Sequence, residues 1–222
     1  VKPYEIGEVH EEGYPDGLTA NLAIKKLNEL GRKEEPFFLA VGFFKPHLPF
    51  NAPKKYWDLY DESNIQLTPA PSIPKNINFA SLNESSEFNG YKLGEEKATF
   101  ENPLSDSYAR KIRHAYYASV SYTDTQIGKL LKALSESGLD KNTIVVFTSD
   151  HGYHLGEHGH WQKQTLFEDA TRVPLIISGP VEDGDRHEFL ELKPKVDNLV
   201  TLQKKIATDC LTEAKRLIKE GN

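Results

Sequence analysis

Apolar positions recur at helical spacing in two stretches of the chain. Residues 17–33 carry Leu18, Leu22, Ile24, Leu27 and Leu30, closed by Gly31, which predicts an amphipathic helix. Residues 106–137 place Ile112, Tyr116, Val120, Ile127, Leu130, Leu131 and Leu134 on one stripe, the strongest helical signal in the chain. Ser105 or Asp106 can cap its start and Gly138 its end. Three short apolar runs read as strands. Residues 37–43 follow Pro36 and predict a buried strand; residues 143–148 are β-branched, as in the buried strands of parallel sheets; residues 173–178 have Pro174 near the entry.

The remaining segments lack such a period. Residues 1–16 are polar and broken by Gly and Pro, an entry loop. Pro46 and Pro49 predict a stiff, extended path from Lys45 to Phe50. Residues 61–105, rich in Asn, Pro, Ser and Glu, predict a long surface excursion of the kind that is functional or mobile. Residues 151–163 form a loop rich in Gly and His. Residues 181–195 are charged and turn-like, and residues 196–219 predict a last helix with Leu199, Leu202, Ile206, Cys210 and Leu217 on one side. No internal repeat is visible. Helix and strand alternate, which indicates an α/β fold with a mainly parallel sheet. Ligands in such sheets bind beyond the carboxyl ends of the strands. That rule selects two loops, 44–50 and 149–163.

Composition narrows the functional classes. A chain of 222 residues can build one substantial domain. Its net charge of -6 comes with no Lys/Arg stripe, which argues against a nucleic-acid binder but not against an anionic substrate. No apolar run reaches the length of a membrane span. With Cys210 as the one cysteine, no disulfide framework exists. The start at Val1-Lys2-Pro3-Tyr4 resembles no signal peptide, and the absence of Met suggests a fragment whose natural start is missing.

Both loops hold candidate chemistry. Ser149-Asp150-His151-Gly152 follows a strand, so the Asp150 carboxylate can ligate a hard cation with His151 beside it, or can simply cap the turn. His154, His158 and His160 suggest zinc by composition, but their spacing fits no standard zinc pattern; ordinary hydrogen-bonding histidines in a glycine-packed loop are expected. The turn at Lys45-Pro46-His47-Leu48-Pro49 can aim His47 into a cleft at the same sheet edge. No glycine-rich phosphate loop and no G-x-S-x-G elbow occur.

These segments resemble a known family. Residues 36–50, ending Lys45-Pro46-His47-Leu48-Pro49-Phe50, resemble a signature segment of type I sulfatases. Residues 118–128, from Ala118-Ser119-Val120-Ser121-Tyr122-Thr123-Asp124, are similar to the helix before the metal strand. Residues 148–163, from Ser149-Asp150-His151-Gly152 to His160-Trp161-Gln162-Lys163, are similar to the second active-site segment. The likeness covers about residues 10–180, and the Asp-His pair points to the iduronate-2-sulfatase-like subgroup. It implies an alkaline-phosphatase-like α/β sandwich with a mainly parallel central sheet flanked by helices, here incomplete. It also implies hydrolysis of sulfated sugars or small sulfate esters, with one bound calcium and a formylglycine nucleophile made from the Cys of a C-x-P-S-R motif. Asp150 and His151 are implied in the calcium site, although imidazole is not a typical calcium donor and His151 can donate a hydrogen bond instead. His47 and Lys163 are implied as catalytic contacts to the sulfate or the leaving oxygen, and Lys45 with them as substrate-binding. Periplasmic, secreted or lysosomal placement is expected from the family alone.

The chain also departs from the family. It contains no C-x-P-S-R, and Thr208-Asp209-Cys210-Leu211-Thr212 cannot replace it. The family's N-terminal Asp pair is absent. After Gly179-Pro180 a charged stretch and one helix replace further sheet. The expected domains are therefore residues 1–180, the central part of the catalytic domain, and a divergent tail, 181–222. Without the nucleophile segment the chain alone is expected to be inactive. A phosphate- or phosphonate-ester hydrolase of the same superfamily, an inert fragment and a sulfated-glycan-binding module are the alternatives.

Overall fold

A computed structural model describes residues 1–91 and 96–179. The expected tail, with its charged stretch and last helix, lies outside the described residues. The chain divides into two units, Val1–Ser178 and Gly179–Asn222. In chain order the first unit holds β1 (Tyr4–Gly7), α1 (Pro15–Leu30), β2 (Phe50–Pro53), α2 (Lys54–Trp57), α3 (Ser86–Asn89), α4 (Asp106–Glu136), β3 (Val145–Thr148), α5 (Glu168–Thr171) and β4 (Leu175–Ser178), with short 3-10 turns between them. This is a mixed α/β unit. β1 and β2 pair in parallel, Tyr4 opposite Phe50 and Gly7 opposite Pro53, and α1 lies in the connection between them, as a parallel pair requires. β3 and β4 pair antiparallel, Val145 opposite Ser178.

Both long helices form where periodicity places them, but neither buries the expected stripe. α1 begins at Pro15, whose fixed φ suits a first turn. It buries Asp16, Gly17, Ala20, Ala23 and Leu27, while Leu18 and Leu22 are exposed. The inward face is made of small residues because the chain passes close by: a Cβ on Gly17 would stand 2.2 Å from the Glu11 carbonyl oxygen. The Tyr122 hydroxyl of α4 accepts the Gly17 N–H at 2.6 Å and donates to the Glu11 carbonyl at 2.8 Å. α4 starts with the Ser105 hydroxyl accepting the Tyr108 N–H, and Gly138 follows its end at φ 72°, a left-handed position that favours glycine. Ile112, Ala115, Ala118, Tyr122 and Leu134 face inward, whereas Val120 and Leu131 lie outside.

The core is aromatic. Phe50 of β2 is fully buried, with Tyr116 and Tyr153 edge-on to it at 5.4 and 5.6 Å between ring centres. This edge-to-face arrangement suits the ring quadrupoles. Phe88 and Trp161 continue the same cluster toward the 151–163 loop.

Four expectations need correction. Residues 1–16 are not only a loop, since Tyr4–Gly7 forms β1. Residues 37–43 are in no strand ladder; their burial alternates, and Phe38 is 91% exposed, because no neighbour among the described residues pairs with them. Residues 45–49 turn rather than extend: the His47 N–H donates to the Phe44 carbonyl at 3.0 Å, and both proline peptides in this segment are cis. β3 is mostly exposed and pairs antiparallel, not buried among parallel neighbours.

Glu11 ties these elements together. Its carboxylate accepts hydrogen bonds from Lys55, Tyr56 and, on α4, Lys129. Burial pushes the carboxyl up, and the bonds from Lys129, Lys55 and Tyr56 outweigh it, leaving the pKa at about 2. A carboxylate with a depressed folded pKa contributes stability above its unfolded value, and that stability is lost as pH falls through the folded one. Glu11→Gln should therefore destabilise the unit at pH 7 by about 1–2 kcal/mol, discounted because Lys55 is exposed. Chemical denaturation should show this difference shrinking as pH falls from 4.5 through the folded pKa and vanishing only below it.

Candidate active site

The first half of the site is the turn before β2. Asp16, buried in the first turn of α1, accepts the backbone N–H groups of Phe44 and Lys45, both at 2.8 Å. Lys45 is buried, and its ammonium donates to the carbonyls of His47 at 3.0 Å and Pro49 at 2.5 Å. Burial lowers its pKa to about 8 despite the nearby negative charge of Asp16. Lys45 thus clasps the turn from within, and the turn carries His47. The His47 Nδ1 lies 2.7 Å from the Leu48 carbonyl oxygen. A carbonyl only accepts, so Nδ1 carries a proton and Nε2 faces away from the turn.

The second half is the loop after β3. A Cβ on Gly152 would meet the Asp169 carbonyl oxygen at 2.0 Å, which only glycine avoids. Gly156 and Gly159 adopt φ 108° and 77°. The loop folds back on itself through His154 N–H to Gln162 O at 2.8 Å and Gly156 N–H to His160 O at 2.9 Å. Arg113 of α4 holds the Leu155 carbonyl at 2.8 Å and pairs with Glu157 at 3.2 Å. The Trp161 N–H donates to the Ser85 hydroxyl at 2.9 Å, and the Phe88 and Trp161 rings pack at 5.9 Å.

These anchors bring Lys163 onto His47. The Lys163 Nζ donates to His47 Nε2 at 2.5 Å and lies 3.1 and 3.0 Å from the two carboxylate oxygens of Glu87. Glu87 is also 3.3 Å from His47 Nε2. Their side chains are 31% (His47), 17% (Lys163) and 28% (Glu87) exposed, so the cluster is reachable from solvent. Lys45, His47 and Lys163 are thus joined, Lys45 through the turn rather than by direct contact with Lys163. Glu87 was not anticipated. It sits in an excursion without period, and no residue pattern there marks one carboxylate over another.

Asp150 and His151 stand at the end of β3. Asp150 is 86% exposed and accepts the His151 N–H at 2.9 Å; His151 Nδ1 bonds the Gly152 carbonyl at 2.7 Å, and its Nε2 is 3.7 Å from Asp150. Their hydrogen bonds stay within this turn. Among the described residues no group of three or more His, Cys, Asp or Glu side chains is placed to hold a metal ion. The exposed Asp150 carboxylate, with open lone pairs, suits one ligand position of a hard cation. Among the described residues no helix is long and apolar enough to cross a membrane.

Of the loop histidines, His154 and His160 are buried, and His158 is partly exposed with its Nε2 3.8 Å from Asp169. His154 bonds the Thr165 hydroxyl at 2.8 Å, and its Nδ1 is 3.8 Å from Asp169. His160 is fully buried among His154, Phe100 and Phe167, and neither ring nitrogen has a hydrogen-bond partner among the described residues. The expectation of ordinary hydrogen bonds thus holds for His154 and not for His160.

A family model described as Sulfatase matches residues 2–201, and the chain belongs to this family. Iduronate 2-sulfatase of Mus musculus is 41% identical over 184 residues, which take in 80% of this chain and 33% of that protein. The chain therefore spans about a third of the length of this curated relative. Among solved structures, a phosphonate monoester hydrolase of Agrobacterium radiobacter is similar with a TM-score of 0.62 at 25% identity, over 81% of this chain and 36% of that one. The fold is accordingly the alkaline-phosphatase-like α/β fold, present in part. A stretch of 57 residues, 26% of this chain, is 70% identical to the protein translocase subunit SecA of Flavobacterium psychrophilum, over 5% of that protein.

Burial lowers the pKa of both His154 and His160 below the ordinary value of 6.5, helped for each by a neighbouring histidine. A group favoured neutral in the fold stabilises it above the unfolded pKa, and that stabilisation fades as pH falls through the folded one. The melting temperature should therefore drop as pH goes from 7 to 5. His160→Phe, which keeps a ring in the pocket, should flatten that drop measurably in calorimetry across the same range.

Proposed function

We propose that this chain is the sulfate-binding part of a sulfuric ester hydrolase acting on sulfated sugars or small sulfate esters. The observation that carries the reading is the Lys163 ammonium 2.5 Å from His47, two groups from loops distant in sequence that meet at a mostly buried position still open to solvent. The ammonium supplies a fixed, charged donor for sulfuryl oxygens, and the imidazole Nε2 beside it donates to the leaving oxygen once it has taken up a proton. Family membership supports sulfate as the anion. The iduronate 2-sulfatase relative supports a sulfated sugar as substrate.

Asp150 is proposed as one ligand of a calcium ion, with His151 orienting it or donating a hydrogen bond. When bound, such an ion supplies positive charge to the sulfuryl oxygens. The nucleophile is proposed to be a formylglycine from a segment outside this chain, since none of its residues forms the C-x-P-S-R motif. Within the chain, Lys163 holds charge against the substrate and the turn clasped by Asp16 and Lys45 holds His47 in place. A phosphonate-ester hydrolase is the second reading, favoured by the structural likeness to that enzyme; the rates of the full-length protein on sulfate and phosphonate esters separate the two.

The division at residue 180 belongs to this proposal. The curated sulfatase relative takes in four fifths of the chain, while the family model continues to residue 201.

Titration of the purified chain with inorganic sulfate tests the reading. Lys163→Ala should weaken binding about tenfold or more, the scale of one charge-assisted hydrogen bond, with a smaller loss for His47→Ala. Unchanged affinity in both would remove the pair from the site. The chain alone should show no turnover of an aryl sulfate, and measurable turnover would contradict a nucleophile lying elsewhere.

A further inference from the structure

Glu87 has no role in the proposed contacts to sulfate, yet it makes the closest contacts to the proposed anion site. Its carboxylate spans the Lys163 ammonium with both oxygens and reaches His47 Nε2. The backbone around it is pinned on both sides. Ser85 accepts the Trp161 N–H, Phe88 is buried against the Trp161 ring, and the Asn83 carbonyl accepts from the Gln162 side chain. Two neighbours of Lys163 thus fix the chain that carries Glu87, and the carboxylate is delivered onto Lys163 by construction. The side chain as a whole remains 28% exposed while its Oε2 is buried, so a displaced carboxylate has a route to solvent.

A carboxylate and a sulfate are both oxyanions that accept from the Lys163 ammonium. They cannot share it, beside His47, without like-charge repulsion in a partly buried place. Resting on the reading of His47 and Lys163 as a sulfate-binding pair, we propose that Glu87 is a built-in counter-anion that closes this pair, and that a sulfate ester enters by displacing it. Glu87 then keeps a half-buried ammonium neutralised between turnovers. It also raises the threshold for entry, so that weakly accepting anions do not lodge there.

Isothermal titration of the full chain with inorganic sulfate tests this, using Glu87→Gln, which keeps the shape and removes the charge, and Glu87→Ala as a second variant. Both should bind sulfate more tightly than the unaltered chain, by about threefold or more for removal of one nearby like charge. Adding Lys163→Ala to Glu87→Gln should abolish the gain. Equal or weaker binding in both Glu87 variants, or a gain that survives loss of Lys163, overturns the proposal while leaving the sulfate reading intact. If no form of the chain binds sulfate, the sulfate reading itself fails, and the counter-anion role falls with it.

Discussion

The buried carboxylate of Asp16 sets the position of the turn on which the site is built. It sits in the first turn of α1 and takes the N–H groups of Phe44 and Lys45, two donors that a tight turn would otherwise leave facing the interior. Buried donors without partners cost free energy, so this one side chain decides whether the turn can be buried at all. Lys45 completes the arrangement from the other side by binding the carbonyls of His47 and Pro49. Removing either charge would leave the other buried and incompletely compensated, a change that is strongly destabilising in general. The turn is therefore rigid, and so is the placement of His47.

Lys163 reaches the same point by a different route. Its loop is shaped by Gly152, which has no room for a Cβ, and by Gly156 and Gly159 at left-handed φ, and it is bolted to α4 by Arg113 and to the 83–88 segment through Ser85 and Phe88. The aromatic cluster around Phe50 lies between the two halves, with Tyr153 from the loop and Tyr116 from α4 both packed on the strand after the His47 turn. Packing of this density transmits position. Two loops more than a hundred residues apart in sequence are thereby held with a lysine and a histidine in hydrogen-bond contact.

Much of this was legible in the sequence. α4 and its two caps are implied by Ser105, Gly138 and the apolar period, and the two loops singled out, 44–50 and 149–163, come together at His47 and Lys163. The buried faces of both helices were not legible, because small residues such as Gly17, Ala20 and Ala118 mark close helix packing but carry little hydrophobic weight. β1 was hidden in a four-residue stretch whose pairing depends on a distant partner. The run at 37–43 has the composition of a buried strand, but composition cannot supply the neighbour that would bury it. Glu87 was invisible for a related reason: only the three-dimensional path of the 61–105 excursion brings it to Lys163. Asp150 and His151 lie at the strand end expected for them, and their role as cation ligands stays a proposal.

Whether His47 and Lys163 form one oxyanion site is tested most directly by a crystal structure of the chain grown with inorganic sulfate. The expected result is a sulfate within hydrogen-bond distance of Lys163 Nζ and His47 Nε2, with the Glu87 carboxylate turned away. A sulfate bound elsewhere while Glu87 still spans Lys163, or His47 and Lys163 found apart, would contradict it.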